Sequence, residues 1–170
     1  MDFLKLAQAR YSCRKLSGDP IPQEQLDRIL EAARSAPTAK DLQAYRLFVI
    51  RGDEGAEKIK QTTRCDFGAK TFVALGAVEA EAWVRPFDGR NFADVDAGIV
   101  GAHILFAVQQ LGLGTTWVGR VDTEKFASLF PQTAGFAIVG LFPIGHPAPD
   151  GGPAPRHFER RALSETVGRL

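Results

Sequence analysis

Residues 94–111 read DVDAGIVGAHILFAVQQL. Val100, Ile104, Val108 and Leu111 recur at helical spacing and fall on one apolar stripe, while Ala97, Gly98, Gly101 and Ala102 are small. After its first turn the run carries almost no charge. A long, apolar segment that lets neighbouring backbones approach closely reads as a central helix, buried against other helices or against a partner subunit. His103 in its middle is expected to be a core imidazole satisfied by one or two hydrogen bonds.

Shorter elements are expected on both sides of this helix. Residues 2–9 read as a short amphipathic helix with Phe3, Leu4 and Leu6 apolar, and Pro22 opens a helix running to about Ser35 with Leu26, Ile29, Leu30 and Ala33 on its core face. SAPTAKDLQA breaks that pattern, YRLFVIRG follows as a strand ending at Gly52, and Glu54 to about Thr63 reads as a polar helix. TFVALGAVE is nearly all apolar, as befits a strand buried on both faces. WVRPFDGRNF is a loop, turning at Pro86, Asp88 and Gly89. Beyond the central helix, LGLGTTWVGR is expected to stop at glycine and continue as a short strand, TEKFASLF to form a helix, and GFAIVGLFPIG a further buried strand. HPAPDGGPAP is extended, and RHFERRALSETVGRL reads as a basic helical tail. The spacing lacks the regularity of a doubly wound sheet, so the expectation is one α+β domain over residues 1–170 with a mixed sheet.

The chain has 170 residues, 45% of them hydrophobic, and a formal net charge of +1, enough for one substantial core and too little field to draw in nucleic acid or an anionic membrane. An anion site must therefore be local. Cys13 and Cys65 form no CxxC pair, so a reducing cytoplasm with free thiols is expected, and MDFLKLAQAR suits neither a signal peptide nor a membrane span. There is no P-loop, HExxH, GxSxG or clustered Cys/His set, and GLG at 112 follows a helix where a dinucleotide fingerprint must follow a strand. No metal site is expected. Any chemistry would be borrowed from an organic cofactor.

One local cation cluster stands out. ARYSCRKLSGDPIP, residues 9–22, sets Arg10 and Arg14 on either side of Ser12. Taken with SAPTAKDLQAYRLFVI, WVRPFDGRNF through LGLGTTWVG, FAIVGLFPIGHP and RRALSETV, in that order along nearly the whole chain, it resembles the nitroreductase family of FMN-dependent oxidoreductases in its small form. The resemblance implies a mainly antiparallel central sheet flanked by helices. It further implies an intertwined homodimer, with FMN in grooves at the interface and the tail from about 146 to 170 embracing the partner.

The resemblance also implies roles. Arg10 and Ser12 match positions that hold the FMN phosphate, a guanidinium offering paired donors and the hydroxyl a third. Arg14 matches a cation near the pyrimidine edge of the ring, where positive charge favours the reduced anion. Pro37, Thr38 and Ala39 match a turn that reaches the flavin from the other subunit. Trp117, Val118 and Gly119 match a segment passing near flavin N5, with the indole alternatively plain core. Arg160 and Arg161, with Arg156 as the fallback, match a basic tail closing on the phosphate.

Three departures accompany the match. Tyr11 stands where the family commonly has a second arginine, Asp41 where it has asparagine, and Ala44-Tyr45 where it has Pro-Trp. A carboxylate at Asp41 would oppose the reduced flavin that Arg14 supports. The implied activity is ping-pong transfer of hydride from NADH or NADPH through FMN to a nitroaromatic, quinone or similar small acceptor, with no side chain as obligatory acid or base. The short connection between WVRP and the central helix implies an open site with loose acceptor choice. Two rivals remain: an FMN-binding sensor or carrier without turnover, and a cofactor-free domain that pairs with another protein through its apolar helix.

Overall fold

The computed structural model describes residues 2–170. Its centre is a three-stranded antiparallel sheet in the order β1-β2-β3, with β1 at Tyr45–Arg51, β2 at Thr71–Ala77 and β3 at Ala137–Ile144. All seven residues of β2 are buried. The apolar run divides by the period-two rule of a pleated strand: Val73, Leu75 and Ala77 enter one core, Phe72 and Ala74 the other.

The first core is closed by two helices. α2 at Gln23–Arg34 buries Leu26, Ile29 and Ala33, and α4 at Ala93–Gln110 buries Val100, Ile104 and Val108, as the apolar stripe requires. Leu111 lies just past the end of α4 and is only partly buried. His103 sits against α2, with Nδ1 3.0 Å from the Ala32 carbonyl oxygen. Gly101 and Gly140 leave room for Trp117: a Cβ at Gly101 would lie 2.0 Å from the indole Cζ3. The indole Nε1 donates to the Val139 carbonyl at 3.1 Å, so the ring is satisfied in place. On the other side of the sheet, Ile59 of α3 at Gly52–Lys60 and Phe126 of α5 at Thr123–Leu129 meet Phe72, Leu141 and Cys13. Full burial of such a side chain contributes about 1.5–3 kcal/mol. α1 at Phe3–Ala9 rests against α4 through Phe3 and Phe106, 5.3 Å apart edge-to-face.

Two expectations are corrected. LGLGTTWVGR makes no strand; it touches β3 only through isolated bridges, Gly114 with Gly145 and Val118 with Leu141. That register sets Thr116 opposite Pro143, which has no N–H to give, and the Thr115 carbonyl is taken by the Cys13 N–H at 2.9 Å. The basic tail is likewise not one helix but a 3-10 turn at Pro155–Phe158 and a single turn, α6, at Leu163–Thr166. Every residue from 158 to 170 is exposed, and isolated turns without a buried face do not propagate.

The start of the tail is stitched to its own chain. Ser17 N–H donates to the His146 carbonyl at 2.9 Å, Ala148 N–H to the Lys15 carbonyl at 3.0 Å, and Leu16 bridges Pro147. Gly151 packs so closely that a Cβ there would stand 2.5 Å from the Lys15 oxygen. Residues 146–151 are therefore held against residues 15–17 of their own chain.

Candidate functional site

α1 ends at Ala9, and from Arg10 the backbone is extended. Alternate side chains then point oppositely. Cys13 is buried, its N–H tied to Thr115, while Arg10, Ser12 and Arg14 share the outward side. The stitched tail lays its 3-10 turn over them. Together Arg10, Ser12, Arg14, Ala154, Arg156, His157 and Arg160 line a cavity of about 220 Å³.

The donor set of this cavity is four guanidiniums, a hydroxyl and an imidazole, and no carboxylate lines it among the described residues. Guanidinium forks suit the paired oxygens of a phosphate and give charge-assisted bonds about twice as strong as neutral ones. Lys15, just outside, is paired with Asp150. Of the arginines assigned from the tail, Arg160 lines the cavity and Arg161 does not; Arg156, the fallback, does. Arg160 and Arg161 lie between the two turns, where the flanking Glu159 and Ala162 are extended, and adjacent side chains of extended backbone point to opposite sides. Tyr11 lies outside the lining, its ring edge-to-face with His157 at 6.3 Å. Partial burial, and then the neighbouring Cys13 thiol, push the Tyr11 hydroxyl above its usual pKa.

The 37–43 turn is a different construction. Lys40, Asp41 and Gln43 all have left-handed backbone, with φ of 54°, 55° and 53°. Such residues cost of order 1–2 kcal/mol each, and persist only where the surroundings hold them. Here the Gln43 N–H donates to Thr38 Oγ1 at 3.0 Å, and Gln43 Nε2 to Asp41 Oδ1 at 3.2 Å. From beneath, Asp96 of α4, 1% exposed, accepts the Ala39 N–H on Oδ1 at 2.9 Å. Its other oxygen is buried without a partner. Pro37 and Asp41 are exposed, Thr38 and Ala39 half-buried. Ala44 is buried and Tyr45 starts β1, where burial raises its hydroxyl pKa and the Arg34 guanidinium opposes that rise.

The third group separates internally. Trp117 is core, edge-to-face on Phe142 at 5.0 Å, which is the alternative left open for it. Val118 N–H is already given to the Leu141 carbonyl at 2.9 Å. Gly119 is exposed, with open space where a side chain would stand. Neither this segment nor the 37–43 turn lines the arginine cavity.

Sequence reasoning missed His157, whose only signal was its place next to Arg156. It also missed Asp96, the second of two carboxylates in the first turn of α4, which the helical spacing sets among the apolar core positions Ala93, Ala97 and Val100. Among the described residues no three His, Cys, Asp or Glu side chains converge as metal ligands. No helix there is long and apolar enough to cross a membrane.

The chain is similar to known proteins over nearly its whole length. An FMN reductase using NAD(P)H from Bacillus subtilis is 30% identical over 175 aligned positions, covering 91% of this chain and 70% of the relative. A nitroreductase family protein from Clostridium difficile superposes with a TM-score of 0.90 at 30% identity, over 99% of this chain and 98% of that one. A structure from Desulfovibrio desulfuricans, solved in complex with FMN, gives 0.80 at 25% identity over 100% and 97%. The model described as the nitroreductase family matches residues 7–82 and 67–146, most of the chain, and this protein belongs to that family.

Proposed function

We propose that this chain is an FMN-dependent oxidoreductase that uses NADH or NADPH to reduce nitroaromatic, quinone or similar small acceptors. The single observation that carries the reading is the carboxylate-free cavity of four arginines, Ser12 and His157, a donor set matched to a terminal phosphate. Bound there, FMN would supply the redox chemistry, a hydride acceptor for NAD(P)H and an electron donor for the second substrate in ping-pong order.

The chain's own residues bind and orient. Arg10, Ser12, Arg156 and Arg160 grip the phosphate, and Arg14, on the same extended segment, places positive charge beside the ring. Pro37, Thr38 and Ala39 are assigned to the flavin of a second copy, each site taking the 37–43 turn from its neighbour, and Gly119, with open space in place of a side chain, to close approach near the ring. The apolar side chains exposed in one protomer, Phe3, Leu4, Phe87, Leu163 and Val167, support such a homodimer, with residues 158–170 as the arm. Free Cys13 and Cys65 suit a reducing cytoplasm. No general acid or base is assigned, since hydride transfer asks for geometry before proton exchange.

The exposed Asp41 carboxylate favours a second reading, an FMN-binding sensor or carrier without turnover. One experiment tests both. Purified protein is expected to be yellow, to release FMN on denaturation, and to bleach within seconds of anaerobic mixing with NADH or NADPH. A yellow protein that does not bleach favours the carrier; a protein that stays colourless after incubation with FMN defeats both.

A further inference from the structure

We propose that a second cationic cavity, opened by Gly119 and flanked by Arg64 and Arg120, seats the electron acceptor and selects small aromatic acceptors that carry a carboxylate or a like oxyanion. The inference deepens the proposed function and rests on it, with FMN as the cofactor and Gly119 close to the ring.

This cavity is separate from the phosphate cavity and larger, about 510 Å³, and lies between the end of α3 and the start of α5. Its floor is fixed from both sides. Thr63 Oγ1 donates to the Arg120 carbonyl at 2.6 Å, Asp122 N–H donates to the Thr62 carbonyl at 2.9 Å, and both threonines are buried. The lacing holds the backbone that carries Arg64 beside the backbone that carries Arg120, while both arginines themselves are exposed.

The charges of the lining are unequally engaged. Lys60 is paired with Glu57 at 2.6 Å, and Asp122, the only carboxylate of the lining, accepts the Lys125 N–H at 2.9 Å as the cap of α5. Neither guanidinium has a side-chain hydrogen bond or ion pair among the described residues. Two forks are left, each able to offer paired donors to the two oxygens of a carboxylate.

Volume and backbone favour a small acid over the phosphates of a nucleotide. A space of this size suits a single substituted ring. The N–H groups of Thr62, Thr63, Val121 and Asp122 are given to carbonyls within the chain, and that of Cys65 to Thr63 Oγ1, so most of the amides that could cradle a pyrophosphate are taken. Thr115 accepts the Cys13 N–H beside the phosphate cavity, and Gly119, farther along the same segment, opens the second cavity; that length of chain spans at most about 14 Å. The 37–43 turn of a neighbouring copy brings Lys40 together with Asp41 and adds no net charge. An acceptor with its ring at Gly119 therefore turns its anionic substituent to Arg64 and Arg120.

The test compares 4-nitrobenzoate with the neutral 4-nitrobenzamide, with NADH as reductant. In each turnover the nitro compound, NADH and a proton give the nitroso compound, NAD+ and water. Binding is read separately, from the change in flavin absorbance as benzoate or benzamide is added to the oxidised, FMN-loaded protein. Wild type is expected to favour 4-nitrobenzoate by roughly tenfold in kcat/KM, the worth of one charged hydrogen bond at an open site. The preference should lie in KM, with benzoate binding more tightly than benzamide. In the double variant Arg64→Gln, Arg120→Gln both ratios should fall close to unity, and Arg120→Lys, which keeps the charge without the fork, should retain part of them. Equal treatment of acid and amide by wild type, or a preference that survives the double variant, overturns the inference and leaves the flavin reading standing. A double variant that loses its reduction by NADPH while keeping the preference also overturns it, since the cavity would then hold the phosphate of the reductant. A protein that takes up no FMN overturns the proposed function and this inference together.

Discussion

The 37–43 turn and the arginine cavity are both loop structures, built in opposite ways. The turn stores left-handed backbone at three non-glycine residues and is pinned from inside the core by a buried carboxylate of α4. The cavity stores charge, and surface segments assemble it as residues 146–151 pair with residues 15–17 and deliver Arg156, His157 and Arg160 opposite Arg10 and Arg14. The first is preorganised by packing and should be sensitive to core changes. The second is held by hydrogen bonds of the tail and should yield ligand affinity without yielding stability.

The largest expected effect lies on the same helix as Asp96, where α4 touches Trp117. Gly101→Ala sets a methyl against the indole and should destabilise the protein by about 3 kcal/mol, read from chemical denaturation. An unchanged midpoint would show that α4 can slide and that the core does not clamp its surroundings. Asp96→Ala comes next. It removes the acceptor of the Ala39 N–H while also relieving an unpartnered buried oxygen, so the net loss should be about 1–2 kcal/mol. Asp96→Asn should recover most of it by keeping one carbonyl oxygen in place. Faster amide exchange at residues 39–43 in the alanine variant alone would sharpen the assignment to the turn.

On the cavity side, Arg10→Ala should weaken FMN by roughly 10- to 100-fold, the worth of a charged hydrogen bond, with the melting temperature of ligand-free protein unmoved. A fall in both would mean that the cavity is structural after all. The smallest effect is expected at Lys15 and Asp150, both exposed. Lys15 holds the Asp150 carboxyl below its ordinary range. A depressed carboxyl adds stability above its unfolded value of about 4 and loses it as the pH falls through the folded one. Lys15→Ala should therefore melt with wild type at every acid pH below that window. At neutral pH it should differ by no more than replicate scatter, as exposed pairs do.

The same division decides what could be read from the sequence. The stripe of Val100, Ile104 and Val108 and the apolar run of β2 announce buried elements, because burial leaves a period in the residues themselves. Segment 114–118 did not announce its failure as a strand, since that depends on Pro143 and Cys13, far away in the chain. In the site, Arg10, Ser12 and Arg14 were legible as a cluster, whereas the choice of Arg156 over Arg161 was not. It depends on where an exposed basic run breaks into turns, which no apolar period records. Trp117 was ambiguous for a related reason: only Gly101 and Gly140, brought together by the fold, make room for the indole.

The central claim is that guanidiniums from both ends of the chain hold one phosphate. Comparing FMN with riboflavin by titration calorimetry, in wild type and in the double variant Arg10→Ala, Arg156→Ala, tests it directly. Wild type should bind FMN at least about 100-fold more tightly than riboflavin, the worth of a pair of charged hydrogen bonds, and the double variant should bind the two nearly alike. Equal affinities in wild type, or a preference for FMN that survives the loss of both arginines, would contradict the account.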